Sequence, residues 1–215
     1  MPNLKGSLFR ACTLAALANL LCAAFMTQAG AQSGVRPVYT PDGKMMQLPA
    51  GFETWVFVGS NLGLAYRDEL TQNDAREAAR AQDQQFFHNV YINPEAYAHY
   101  AATKEFPDPT ILVMEVFVPA DRDPKGVLKS GVFNGERAGI EVAVKDTRRP
   151  AGHLAPPAES PWAYYIFMNP FQPQPVLRQT VAADQSGFCQ ACHKVNAPPD
   201  NVWVRFYPAL RKFSQ

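Results

Sequence analysis

The chain has 215 residues, of which 47% are hydrophobic and 18% are charged. This is the composition of a globular protein with a sizeable core, and it excludes a disordered or collagen-like chain. The formal net charge of +1, without any basic run, gives no indication of nucleic-acid binding.

The first 31 residues have the pattern of a secretory signal peptide. Lys5 and Arg10 precede the uncharged apolar run ACTLAALANLLCAAFM, which is short for a membrane-spanning helix. Ala29 and Ala31 supply the small residues that a signal peptidase accepts. We therefore expect cleavage after Ala31 and a periplasmic mature chain, residues 32–215, that forms one domain outside the membrane. Because the leader contains two basic residues and no acid, its removal changes the formal net charge from +1 to −1.

The first half of the mature chain predicts two strands and a helix. The β-branched and aromatic runs GFETWVFVGS (51–60) and FFHNVYI (86–92) are typical of strands. Between them, the polar, alanine-rich segment 68–85 indicates either a short helix or a solvated loop. Asn93, followed by proline and glutamate, is typical of a helix start, and this helix is expected to end before the sequence PDP at 107–109.

The second half of the chain predicts further strands. TILVMEVFV (110–118) is a nearly continuous apolar run, so we expect it to be the central strand. GVFNGERAGIEVAVKD (131–146) contains Asn134-Gly135, a strong hairpin signal between two extended runs. WAYYIFMN (162–169) is typical of one more strand.

The C-terminal segment predicts short helical turns. Trp203, Phe206, Tyr207 and Leu210 recur at helical spacing, and Pro208 is expected to divide the segment into two turns. Together the patterns predict five or six mostly antiparallel strands and a few short helices. We therefore expect an α+β domain built mainly on an antiparallel β-sheet.

The segment SGFCQACHKVNAPP (186–199) carries the residues with the most distinctive chemistry. Its Cys189 and Cys192 are the only cysteines left after removal of the leader, and one pair cannot cross-link a domain of this size. A thioredoxin-like redox pair needs a strand that enters a helix in a βαβ unit, and nothing upstream has that pattern. A closed zinc site needs further ligands at short spacing, and the other histidines are scattered.

The spacing of this segment fits c-type haem attachment better. Two thiols separated by two residues can each add to a vinyl group on one edge of a haem, and His193 then lies beneath the iron as its proximal ligand. Covalent attachment of haem takes place outside the cytoplasm, which agrees with the signal peptide. We expect one haem c, bound through Cys189 and Cys192 and ligated by His193 in a C-terminal haem-binding segment. A disulfide or another metal site is the alternative.

The chain resembles the cytochrome P-460 family, together with its close relative cytochrome c′-β. The resemblance runs from about Leu48 to Arg211. It is carried, in this order, by LPAGFETWVFVG, VYINPEAYAHYAATKEFPDPTILV, GVFNGERAGIEVAVKD, WAYYIFMN and CQACHKVNAPPDNVWVRFYPALR. It implies a mainly antiparallel β domain, a homodimer, and one five-coordinate haem with an open distal side. The P-460 enzymes of the family oxidise hydroxylamine, while cytochrome c′-β binds nitric oxide.

Two residues decide between these activities. Met114 lies where the resemblance to the P-460 enzymes places a lysine that is cross-linked to the haem ring, and a thioether cannot supply that nitrogen. Met114 is then a packed core side chain or, alternatively, a sixth iron ligand. Glu141 matches the family's distal glutamate, which would accept protons from a bound nitrogen ligand. From the pattern alone, Glu141 would be an exposed carboxylate on a strand.

Four further residues are candidates for the wall of the haem pocket. His88 lies in a predicted strand and would otherwise be a satisfied surface or core histidine. Phe86, Phe87 and Phe133 would otherwise be ordinary core aromatics. We expect His88 to line the distal pocket and the three phenylalanines to wall the haem cavity.

These observations predict a periplasmic monohaem cytochrome that binds and processes small nitrogen ligands such as nitric oxide. Hydroxylamine oxidation is the first alternative, and simple electron transfer with both axial positions filled is the second. A redox partner protein and a homodimer are the expected partners. Nucleic acid is not expected as a partner.

Overall fold

A computed structural model of the chain describes residues 34–64, 86–120, 126–127, 130–153, 155 and 160–214. Val35–Gln215 form one compact unit. The predicted signal peptide and the segment 68–85, predicted as a helix or loop, lie outside the described residues. Among the residues described, none of the helices has the length and apolar character needed to cross a membrane.

Five antiparallel strands form the main sheet, and they follow one another in chain order. They are β2 (Val56–Leu62), β3 (Phe87–Ile92), β4 (Thr110–Ala120), β5 (Phe133–Lys145) and β6 (Trp162–Met168). The apolar run predicted as the central strand is β4, which pairs with β3 on one side and β5 on the other. A second, two-stranded antiparallel sheet joins β1 (Met46–Gln47) to β7 (Thr180–Val181). The predicted α+β class with a mainly antiparallel sheet is confirmed.

In the part of the chain that the structure describes, three short α-helices and two 3-10 turns complete the fold. The helices are α1 (Pro94–Thr103), α2 (Phe188–Asn196) and α3 (Pro208–Arg211), and the turns are Phe52–Thr54 and Val204–Phe206. The predicted start of α1 is confirmed, although the Asn93 side chain accepts a hydrogen bond from Ile111 N at 2.8 Å instead of capping its own helix. The two predicted C-terminal turns are confirmed as Val204–Phe206 and α3.

The hairpin predicted at Asn134-Gly135 is wrong. These residues lie inside β5, a single strand of 13 residues. Its pairing with β4 runs from Lys145, opposite Thr110, to Phe133, opposite Ala120. A Cβ atom at Gly135 would lie 2.7 Å from the carbonyl oxygen of Val118. The glycine therefore permits close approach of the neighbouring strand instead of forming a turn.

The two faces of the main sheet are covered by different parts of the chain. On one face, side chains such as Ile111, Val142 and Tyr165 pack with the N-terminal segment around Met46. On the other face, Leu112, Trp162 and Tyr164 pack against α1, α3 and the second 3-10 turn. The residues that these elements contribute are Ala96, Tyr100, Val204 and Leu210. We call this second face the helix-covered face.

Candidate functional site

Helix α2 carries the two cysteines and begins directly after Gly187, whose φ of 70° lies in the left-handed region that glycine adopts readily. Cys189 and Cys192 are both half-buried thiols, not halves of a disulfide. Residues three apart in a helix lie on the same side of it. The two thiols therefore lie on one side of α2. Cys189 packs against the core cluster of the helix-covered face.

His193, the next residue of α2, is held in one orientation by the backbone. Its Nδ1 donates a hydrogen bond to the carbonyl oxygen of Asn201 at 2.8 Å. Burial lowers the pKa of His193, and the bond to Asn201 opposes that shift. The result is a neutral imidazole that keeps its proton on Nδ1 and its lone pair on Nε2, which is the form of histidine that binds metal ions.

The lone pair of His193 Nε2 already has a hydrogen-bond donor. The indole Nε1 of Trp203 donates a hydrogen bond to His193 Nε2 at 3.2 Å. The ring of Tyr164 lies on another side of the imidazole, with centroids 4.7 Å apart. A metal that binds at Nε2 takes the same lone pair, so the Trp203 N–H has to leave it when the metal binds.

Three residues that are only partly buried lie side by side in the middle of the helix-covered face. Met114, Glu141 and Ile166 are consecutive cross-strand neighbours on β4, β5 and β6. Each is half-exposed, whereas the residues next to them in their strands are buried. We call these three residues the open patch. Ala143 and Tyr164, one row further along β5 and β6, connect the patch to His193.

The other predicted pocket residues are distributed unevenly around this patch. His88 pairs with Val116 and lies on the same face, one row from Met114. Phe87, its neighbour in β3, points to the opposite face because side chains alternate along a strand. Phe133 lies at the start of β5, eight residues from Glu141, or about 26 Å at the usual rise of a strand. The fold of the chain brings His88 to the patch and does not bring Phe87 or Phe133 to it.

Sequence reasoning missed Tyr164 and Asn201. Tyr164 stands beside Tyr165 in β6, and the alternating pattern alone does not tell which of the two faces the cysteine segment. Asn201 acts through its backbone carbonyl, so its side chain gives no signal. Phe86, by contrast, is a candidate from the sequence. It packs with Met114 in a small cluster beside the patch.

Two buried polar atoms near the cysteines fit a bound group that is larger than a metal ion. Tyr164 Oη and Gln190 Oε1 have no hydrogen-bond partner among the described residues. Burial, followed by the charges of Cys189 and Asp200, raises the pKa of Tyr164, so its hydroxyl stays protonated. Buried polar atoms are nearly always paired in native proteins. Their position next to two thiols and an imidazole suits a cofactor with a polar periphery.

The donor set suits haem better than a bare metal ion. Within the described ranges, no three His, Cys, Asp or Glu side chains are grouped so that they could hold a metal ion. A single imidazole fits an iron whose other ligands come with a porphyrin ring, and two thiols at this spacing fit its two vinyl groups. The fold and the chemistry of these residues fit a haem-binding cytochrome.

Comparison with known families agrees with this class. The family model described as Cytochrome P460 matches residues 49–204, so the chain belongs to the Cytochrome P460 family. No curated protein matches the chain. The matched range includes the open patch, α2 and Trp203. Haem binding is therefore a property of the family to which this chain belongs.

The unpaired hydroxyl of Tyr164 predicts a difference between two neighbouring tyrosines. In the haem-free chain, Tyr164→Phe should leave the free energy of unfolding unchanged or raise it, because an unpaired buried hydroxyl costs about 1–3 kcal/mol. Tyr165→Phe is the matched control. It removes a hydrogen bond of 2.6 Å to His153 Nε2 and should lower the free energy by about 1 kcal/mol. Urea denaturation measures both, and an equal loss in the two variants would contradict the assignment.

Proposed function

We propose that the chain is a c-type cytochrome in which Cys189 and Cys192 hold one haem covalently and His193 Nε2 binds its iron. The observation that carries this proposal is the arrangement of α2: two thiols on one side of the helix, followed by an imidazole fixed through Nδ1 by the Asn201 carbonyl. Each thiol adds its S–H across a vinyl group, so the attachment needs no net oxidation. When bound, the haem supplies an iron that can change oxidation state and accept a small ligand.

The open patch is our candidate for the distal side of the iron. Met114 and Ile166 make it apolar, so a small neutral ligand is favoured over water there. Glu141, between them in the sheet, supplies a proton acceptor. Glu141 also matches the distal glutamate of the cytochrome P-460 family, and this match supports the same role. We therefore propose that the protein binds and processes small nitrogen ligands, of which nitric oxide is our leading candidate.

Hydroxylamine oxidation is a second candidate, and one specific observation favours it. Met114 and Glu141 are direct cross-strand partners, so the position of the family's cross-linking lysine lies beside the carboxylate. Met114 is also the one half-exposed residue of β4 between Thr110 and Val116. This exposure keeps electron transfer, with the Met114 sulfur as sixth ligand, as the third candidate.

The leader and the resemblance support a proposal for the localisation and the partners. Haem c is attached outside the cytoplasm, and the N-terminal segment has the pattern of a signal peptide. We therefore place the mature protein in the periplasm. A homodimer and an external redox partner protein complete the proposal.

Intact mass and absorption spectra test the haem assignment. We expect the mature chain to carry the mass of one haem that acid–acetone does not extract. Cys189→Ser combined with Cys192→Ser should make the haem extractable. The ferrous protein should be high-spin and take up nitric oxide. His193→Gly should abolish that spectrum, whereas His99→Gln, an exposed position on α1, should preserve it.

Two results would contradict this assignment. One is an intact mass equal to the bare polypeptide after cleavage at Ala31. The other is a resting low-spin spectrum with a methionine–iron charge-transfer band, which would favour electron transfer instead.

Substitution of Met114 separates ligand binding from hydroxylamine oxidation. The native protein should have an ordinary c-type spectrum and little hydroxylamine turnover, because no amine is available beside the ring. Met114→Lys, treated with peroxide as the oxidant for the cross-link, should gain turnover. Met114→Leu is the control that keeps the volume without the amine.

The contribution of Glu141 is measured in the same series. Adding Glu141→Ala to Met114→Lys should reduce the gained turnover by about 10²–10⁴-fold, the usual contribution of a general base. Steady-state oxidation with an artificial electron acceptor measures each variant. Rapid turnover by the native protein with an unmodified haem would show that Met114 does not separate the two activities.

A further inference from the structure

The loop that follows α2 has an unusual backbone. Asp200 and Asn201 have φ values of 56° and 61°, so two consecutive residues other than glycine occupy the left-handed region. Asparagine and aspartate tolerate this conformation better than most residues, but two in a row require support from the surroundings. The second of these residues supplies the carbonyl oxygen that binds His193 Nδ1.

The Asp200 side chain provides that support. Its Oδ2 accepts a charged hydrogen bond from Lys145 Nζ at 2.6 Å, and its Oδ1 accepts one from the indole Nε1 of Trp162 at 3.0 Å. Lys145 Nζ also donates to the carbonyl oxygen of Phe106 at 2.8 Å. Both carboxylate oxygens of Asp200 are therefore fixed to the sheet.

The two donors have a rigid base. Lys145 and Trp162 are cross-strand partners at the ends of β5 and β6, and Trp162 is fully buried. A continuous path thus runs from the sheet to the Asp200 side chain, along the backbone to the Asn201 carbonyl, and from that carbonyl to His193. The direction of the carbonyl depends on the left-handed backbone of Asp200 and Asn201, which the Asp200 side chain anchors to the sheet.

We propose that Asp200 is a positioning residue that sets how strongly His193 donates to the iron; this inference rests on the proposed haem ligation by His193. A firm Nδ1–H···O bond makes the imidazole a stronger donor through Nε2. When Asp200 is released from Lys145 and Trp162, the Asn201 carbonyl loses its fixed direction and that bond weakens. The ferric state of the iron then loses stabilisation relative to the ferrous state.

Resonance Raman spectroscopy and redox titration of the haem-loaded protein test this proposal. Asp200→Ala, which removes both anchors, should lower the iron–histidine stretching frequency of the ferrous protein and raise its midpoint potential. Lys145→Met removes only the ammonium and keeps the aliphatic stem, so it should shift both quantities in the same directions by less. Asp200→Asn, which keeps an acceptor for Trp162 and tolerates the left-handed backbone, should resemble Lys145→Met.

Asp42→Asn is the matched control, because this exposed carboxylate is bound to Thr40 and its own turn. It should change neither the frequency nor the potential. If Asp200→Ala fails to fold, Lys145→Met alone decides the outcome, since Lys145 is only half-buried. Thermal denaturation is measured in parallel. Loss of stability in these variants with an unchanged frequency and potential would overturn the proposal, because Asp200 would then be only a structural anchor.

The failure of this inference is distinguishable from the failure of the proposed function. If the native protein carries no covalent haem, or shows no iron–histidine stretch, the proposed function itself is wrong. If the native protein shows that stretch and the Asp200 and Lys145 variants do not shift it, only the role of Asp200 is wrong.

Discussion

The hydrogen bond from His193 Nδ1 to the Asn201 carbonyl oxygen, 2.8 Å long, is the interaction on which the site depends. It determines which imidazole nitrogen carries the proton, and so it determines that Nε2 keeps the lone pair. Helix α2 alone does not fix this, because a histidine near the end of a short helix can rotate. The partner carbonyl comes from a loop whose backbone Asp200 ties to the ends of β5 and β6. The orientation of the His193 imidazole is therefore anchored in the main sheet.

The same sheet provides the second half of the site. Both faces of this sheet are covered by other parts of the chain, and the residues next to the open patch in β4, β5 and β6 are buried. The open patch of Met114, Glu141 and Ile166 is an exception in the middle of three neighbouring strands. Glu141 lies between the two apolar residues of the patch in the register of the sheet. The patch lies on the sheet face that carries Tyr164, and the ring of Tyr164 contacts His193, the proposed iron ligand.

Much of the fold was predictable because its signals are local. The apolar run of β4, the start of α1 after Asn93 and the two C-terminal turns each depend on residues that are adjacent in sequence. The hairpin prediction failed because the role of Gly135 is set by the carbonyl of Val118, a contact between strands that no local pattern contains. The pattern of Cys189, Cys192 and His193 is an equally local signal, because these residues lie within five positions of the sequence. Tyr164 was not, since the face of a strand that carries the site depends on which elements cover it.

We propose that His193 lies on one side of the haem and the open patch on the other. A crystal structure of the ferrous, haem-loaded protein with nitric oxide would decide this arrangement. We expect thioether bonds to Cys189 and Cys192, the Trp203 N–H displaced from His193 Nε2, and nitric oxide on the side of Glu141 and Met114. A Met114 sulfur bound to the iron, or a haem placed away from the open patch, would refute the proposal.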